Sequence, residues 1–302
     1  KTSIQIVRSK LGTTNDDRKR NLFQGMLDML EYMDEKTSER TFYFGTDDFD
    51  HVWEKLIDKA FGEKNKEVIL LLHGGGLSWW NYKEAAEALQ KDYRIILPIL
   101  DGHAGSNRPF TTIADNAAEI ISFIDTHLGG SVLLIGGLSL GGQIALEILS
   151  QRKNVCKCAI IESALVIPSR FTYSMIKPAF GSCYGFIQHK WFSKLQFKSL
   201  KMKAELFDDY FKDSCAIAKK DMIAFLQENS VYSLKDSVKN CMARVYIFVG
   251  SKENRIMRKS SAMIHQSLQN SLMQVLPGLY HGEFSINKGI DYANKIREIN
   301  GY

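Results

Sequence analysis

The sequence predicts an α/β protein whose central sheet is mostly parallel and flanked by helices, with a helical cap inserted late in the chain. From residue 66 onward, short apolar runs alternate with longer amphipathic segments, as repeated βα units require. One gap of about eighty residues then interrupts the alternation where a single crossover helix would suffice.

Strands are expected at Val68–Leu72, Arg94–Ile99, Ser131–Ile135, Cys158–Ile161 and Arg244–Val249, with a shorter one at Met273–Leu276. The first five are apolar enough to be buried on both faces. Helices fill the gaps at about Asn81–Gln90, Ile113–Leu128, Gly142–Ser150, Met257–Leu268 and Gly289–Ile299. In the second of these, Ile113, Ala117, Ile120, Ile124 and Leu128 recur at the spacing of a helix lying on a sheet.

The chain therefore divides into a core of residues 66–167 and 241–302 and a cap over residues 168–240. The cap is rich in aromatics, among them Phe171, Tyr184, Phe186, Trp191 and Phe192. It carries Lys190, Lys194, Lys198, Lys201 and Lys203 without an intervening acid. These read either as packing residues beside a solvated face or as an apolar pocket roof with a basic rim. Residues 1–65 form an atypical extension, with a helix expected near Asn21–Tyr32, a strand at Thr41–Phe44 and a helix at Asp47–Phe61.

Composition narrows the class. Of the 302 residues, 45% are hydrophobic and 24% charged, the balance of a chain that can bury a large core. No run is long enough for a membrane span, and the first residues lack the apolar centre of a secretion signal. The net charge is +5, with −2 over residues 1–65 and +7 over the rest, too little for a nucleic-acid footprint. Cys156, Cys158, Cys183, Cys215 and Cys241 lack the paired spacing of a disulfide framework or zinc site, so free thiols in a reducing cytoplasm are expected.

The chemistry centres on Gly137-Leu-Ser139-Leu-Gly141, between an apolar strand and an apolar helix. A nucleophile on so tight a turn needs small residues two positions to either side. The following helix aims free amides at any oxyanion forming there. His73-Gly74-Gly75-Gly76 ends the first parallel strand, and Gly75 or Gly76 is placed to supply a second amide beside that of Leu140. Of seven histidines, His281 alone lies in a loop after the last expected strand, so it is the candidate base, and His73 reads as a loop-orienting residue. Glu253 follows the strand before that one and is the candidate acid, with Glu162 as its rival.

The ordered set HGGG, Asp101-Gly-His-Ala-Gly105, GLSLG, GSKEN and LYHG resembles the α/β-hydrolase superfamily, in particular its capped carboxylesterase-like members, over about residues 66–300. The resemblance implies Ser139 as nucleophile, His281 as base, Glu253 as acid, and Leu140 and Gly75 as oxyanion donors. It places Gly76 and Leu77 at the substrate. It implies an acyl hydrolase acting on a small, largely apolar ester, with no metal or organic cofactor and no nucleic-acid partner; the oligomeric state stays open. A ligand-binding receptor and a carbon–carbon bond hydrolase remain alternatives on the same fold. Thr41–Gly62 resembles parts of some restriction-endonuclease-like proteins, although sixty-five residues could not hold a complete one.

Overall fold

The computed structural model describes residues 57–64 and 66–301. Its strands are β1 (Ile57–Phe61), β2 (Val68–Leu72), β3 (Arg94–Pro98), β4 (Val132–Leu138), β5 (Cys156–Glu162), β6 (Arg244–Gly250) and β7 (Ser271–Leu276). Its helices are α1 (Lys83–Leu89), α2 (Ile113–His127), α3 (Leu140–Gln151), α4 (Arg170–Cys183), α5 (Lys190–Ser199), α6 (Phe207–Ala216), α7 (Lys219–Val231), α8 (Arg255–Ser267), α9 (Glu283–Asn287) and α10 (Gly289–Asn300).

The strands form a seven-stranded sheet in the order β1-β3-β2-β4-β5-β6-β7. Every pairing is parallel except that of β1 with β3. Alternation along β2 explains the layering. Leu70 and Leu72 point into the core cluster that includes Phe123 of α2, Ile144 of α3 and Ile264 of α8. Ile69 and Leu71 point the other way, to Leu89 of α1 and Tyr292 and Ile296 of α10. Each such side chain, withdrawn from water, contributes about 1.5–3 kcal/mol. α2 starts where Thr112 Oγ1 accepts from the Asp115 amide at 3.0 Å, and α8 where Asn254 Oδ1 accepts from that of Met257 at 2.9 Å.

The expected helix Asp47–Phe61 is corrected at its end. Ile57–Phe61 is the antiparallel edge strand β1, so the sheet begins inside the segment that the sequence assigns to the extension. The register shifts between Ile57 and Lys59, opposite Pro98, which has no amide to donate to a ladder. The rest of that expected helix, with the helix near Asn21–Tyr32 and the strand Thr41–Phe44, lies outside the described residues.

Between β5 and β6 the chain inserts α4 to α7. The Trp80 indole donates to Asp213 of α6 at 2.8 Å, and the Phe110 amide donates to Asp221 of α7 at 3.1 Å. Both bonds tie the insertion to loops at the carboxyl ends of β2 and β3. All five cysteines are free thiols. Among the described residues, no helix is long and apolar enough to cross a membrane.

Candidate active site

Ser139 sits between β4 and α3 with φ 54° and ψ −112°, a backbone that a side chain rarely adopts. The turn is too tight for anything larger than glycine two positions to either side. A Cβ at Gly137 would lie well inside 3.0 Å of the Gly141 carbonyl, and one at Gly141 would do the same to that of Leu72. The Ser139 amide donates to Glu162 O at 2.9 Å, and the Gln143 amide donates to Ser139 O at 3.0 Å, so strand and helix grip the turn from both sides. The turn leaves the Leu140 amide at the positive end of a twelve-residue helix.

The glycine loop after β2 is held by two buried histidines. His73 donates from Nδ1 to Gly74 O at 2.9 Å and accepts the Leu100 amide on Nε2 at 3.1 Å. His103 donates from Nδ1 to Asp101 O at 3.0 Å and accepts the Gly76 amide on Nε2 at 3.0 Å. Each imidazole thus serves as one donor and one acceptor, which requires it to be neutral. Burial, helped by His103, pushes His73 down to about 3, and burial pushes His103 down to about 4. The Gly74 amide is taken by Asn81 Oδ1 at 3.2 Å. Gly75, between these two engaged amides, is exposed. Phe225 of α7 stacks on His103 at 4.5 Å between ring centroids and lies beside Gly75. The insertion therefore walls this loop. Gly76 turns with φ 73°, while Leu77 is buried in the core beneath Gly74.

Glu253 and His281 come together at the carboxyl ends of β6 and β7. His281 Nδ1 lies 2.8 Å from Glu253 Oε2, with the carboxylate buried and the imidazole 41% exposed. The other carboxylate oxygen accepts from Ser163 Oγ at 2.7 Å and from the Gly250 amide at 2.8 Å. Burial opposes the charge, but the hydrogen bonds from His281, Ser163 and Gly250 outweigh it and hold the carboxyl below its ordinary range. The two loops are stapled by Lys252 N–H to Leu279 O at 3.0 Å and by Gly278 N–H to Ser251 Oγ at 2.8 Å. Gly282, at φ 72°, follows the histidine. A Cβ there would lie 3.1 Å from Leu138 Cδ2, so the histidine turn rests on the residue that precedes Ser139.

Glu162 occupies a different place. It is buried, accepts the Ser285 amide on Oε1 at 3.3 Å, and has no partner for Oε2. Burial raises its carboxyl to about 7 against the opposing Ser285 bonds. Ser163, His103, Asn81 and Ser285 are not singled out by sequence reasoning; only His103 lies inside a motif that drew notice. Among the described residues, no group of three or more His, Cys, Asp or Glu could hold a metal ion.

A sequence profile described as the alpha/beta hydrolase fold matches residues 67–191. The structure superposes on a thermophilic esterase from Thermogutta terrifontis with a TM-score of 0.66 at 17% identity, covering 80% of this chain and 90% of that one. It superposes on the enol-lactonase from Burkholderia xenovorans with a TM-score of 0.68 at 13% identity, covering 81% and 95%. This chain has the α/β-hydrolase fold. Over 184 residues the chain is 27% identical to human epoxide hydrolase 4, an alignment that covers 55% of this chain and 49% of the relative. The chain thus spans no more than about half the length of the curated relatives it matches.

Proposed function

We propose that this α/β hydrolase is a serine acyl hydrolase that cleaves a carboxylic ester, or a related acyl bond, of a small and largely apolar substrate. In this reading Ser139 Oγ attacks the carbonyl carbon as His281 Nε2 takes its proton, while Glu253 holds the imidazole and offsets its charge. The oxyanion rests between the Leu140 and Gly75 amides. Collapse expels the alcohol, which takes its proton from His281. Water then repeats the sequence on the acyl-enzyme to release the acid.

The observation that carries the reading is the 2.8 Å contact of His281 with Glu253, on a turn that packs against the nucleophile elbow. The names of the curated relatives suggest epoxide opening. Fold members that open epoxides use a carboxylate nucleophile, and position 139 is a serine. The test is a fluorophosphonate probe with a panel of short p-nitrophenyl esters. Labelling at Ser139 and loss of both labelling and turnover in Ser139→Ala are expected. A Ser139→Ala protein with full turnover would refute the mechanism. Labelling without turnover of any ester, thioester or amide would favour a ligand-binding role.

A further inference from the structure

The insertion carries a surface that the ester chemistry does not explain. Helix α5 buries Ser193 and Phe197 on its inner side. At 100° per residue, the positions opposite that side are 191 and 195, where a helix at an ordinary surface carries polar residues. They hold Trp191 and Leu195, each 63% exposed. Phe186, also exposed, lies 6.4 Å from the Trp191 ring between centroids, which extends the apolar ridge beyond the helix.

Lys190, Lys194 and Lys198 form an exposed stripe beside this ridge, at the i, i+4, i+8 spacing of one helix face, with Lys190 Nζ 5.6 Å from the Phe211 ring centroid and Lys194 Nζ 5.7 Å from that of Phe207. The segment is of one sign along the sequence, while the neighbouring helix α6 carries Asp208 and Asp209 in its first turn. Residues 163–204 hold seven Lys and Arg and none of the chain's 34 Asp and Glu. Near the end of that stretch, Lys201 Nζ lies 5.6 Å from the ring centroid of Tyr280, the neighbour of His281. The basic segment therefore runs from the exposed ridge to the edge of the candidate site.

We propose that this face of the insertion docks on an anionic lipid surface. A protruding Trp and Leu, flanked by lysines whose long flexible stems can extend to headgroup level, fit a membrane interface. A partner protein with an acidic groove would satisfy the charge, but it would not require an indole and an isobutyl group at the two most outward positions. Such docking is peripheral and reversible, and it would present the candidate site to acyl chains held in the membrane. It stands whether or not Ser139 is the nucleophile.

The experiment is co-sedimentation of the full chain with vesicles of phosphatidylcholine alone or with about 30% phosphatidylserine, at two salt concentrations. Binding is expected only to the anionic vesicles, and it should weaken as salt rises. Lys190→Gln/Lys194→Gln/Lys198→Gln should lower partitioning about a hundredfold, and Trp191→Ser/Leu195→Ser about tenfold or more. Both variants should keep the wild-type melting temperature and their turnover of a water-soluble ester. No binding to anionic vesicles, or binding that neither variant weakens, would overturn the proposal. Self-association lost in Trp191→Ser/Leu195→Ser without lipid binding would instead assign the ridge to a second copy of this chain.

Discussion

Ser163 Oγ donates a 2.7 Å hydrogen bond to Oε1 of Glu253, the carboxylate whose other oxygen meets His281 Nδ1 at 2.8 Å. Ser163 does this from a positive φ of 54° and with its amide donating to Phe248 O at 3.0 Å, so the loop after β5 is bent to aim this one hydroxyl. Ser163→Ala removes the bond and keeps the strained backbone. We expect a fall in kcat of about tenfold with KM little changed, because the lost contact orients the acid. The acid limb of the pH–rate profile should move upward, since one of the bonds that lower the Glu253 carboxyl is gone. Steady-state kinetics between pH 4 and 8 checks both, and a wild-type profile from the variant would make the hydroxyl a packing detail.

Glu253 and Glu162 should separate by function. Glu253→Gln keeps the shape but loses the charge that stabilises the imidazolium, and a loss of about a thousandfold or more in kcat is expected. Glu162→Gln, directed at Ser285 instead of His281, should cost at most about tenfold. Equal losses in the two variants would place Glu162 in the reaction.

Glu162 also gives stability a pH dependence. Its carboxyl is raised from 4.5 to about 7 in the folded chain, so the folded state retains a proton that the unfolded state has already released. Its stabilising contribution is complete below pH 4.5 and is lost as pH rises toward 7. Denaturant unfolding should therefore find Glu162→Gln gaining on the wild type between pH 5 and 8. A constant difference across that range would show that Glu162 does not titrate there.

The loop that carries Gly75 should answer to Asn81. Asn81→Ala frees the Gly74 amide from its 3.2 Å bond and lets the loop drift, so kcat should fall by about ten- to a hundredfold with KM nearly constant. Changes confined to KM would point to a substrate contact instead.

Gly250→Ala tests the joint between the acid and histidine loops. A Cβ there would fall on the Leu279 carbonyl, backbone that cannot turn aside, so the loops must part. A stability loss of about 1–3 kcal/mol is expected together with reduced kcat. Thermal melts and kinetics on the same preparation would distinguish this from a purely local change.

Much of this arrangement was legible in the residues, for identifiable reasons. Strands β2 to β6 are largely buried on both faces, so they read as continuous apolar runs. The elbow reads because its sterics demand glycine at 137 and 141, and Glu253 and His281 read from their addresses after successive strands. β1 did not. Its residues IDKAF prolong the helical spacing of Val52, Trp53 and Leu56, and only backbone pairing with β3, remote in sequence, makes them a strand. Helix α3 begins at Leu140, two residues before the expected start, and its first turn holds the poor helix former Gly141 because a Cβ there would collide with the Leu72 carbonyl. Ser163 was invisible for another reason: a hydroxyl that serves a carboxylate ninety positions away leaves no periodic trace.

His73 and His103, fixed as neutral imidazoles by their burial and backbone partners, are silent titration partners around the candidate site. Any inflection in kcat/KM between pH 5 and 8 then has two fewer sources, although His73 is two residues from Gly75 and His103 holds the Gly76 amide. In a proton NMR titration their ring resonances should stay flat over that interval, as fixed reference lines against which a moving histidine signal can be assigned elsewhere.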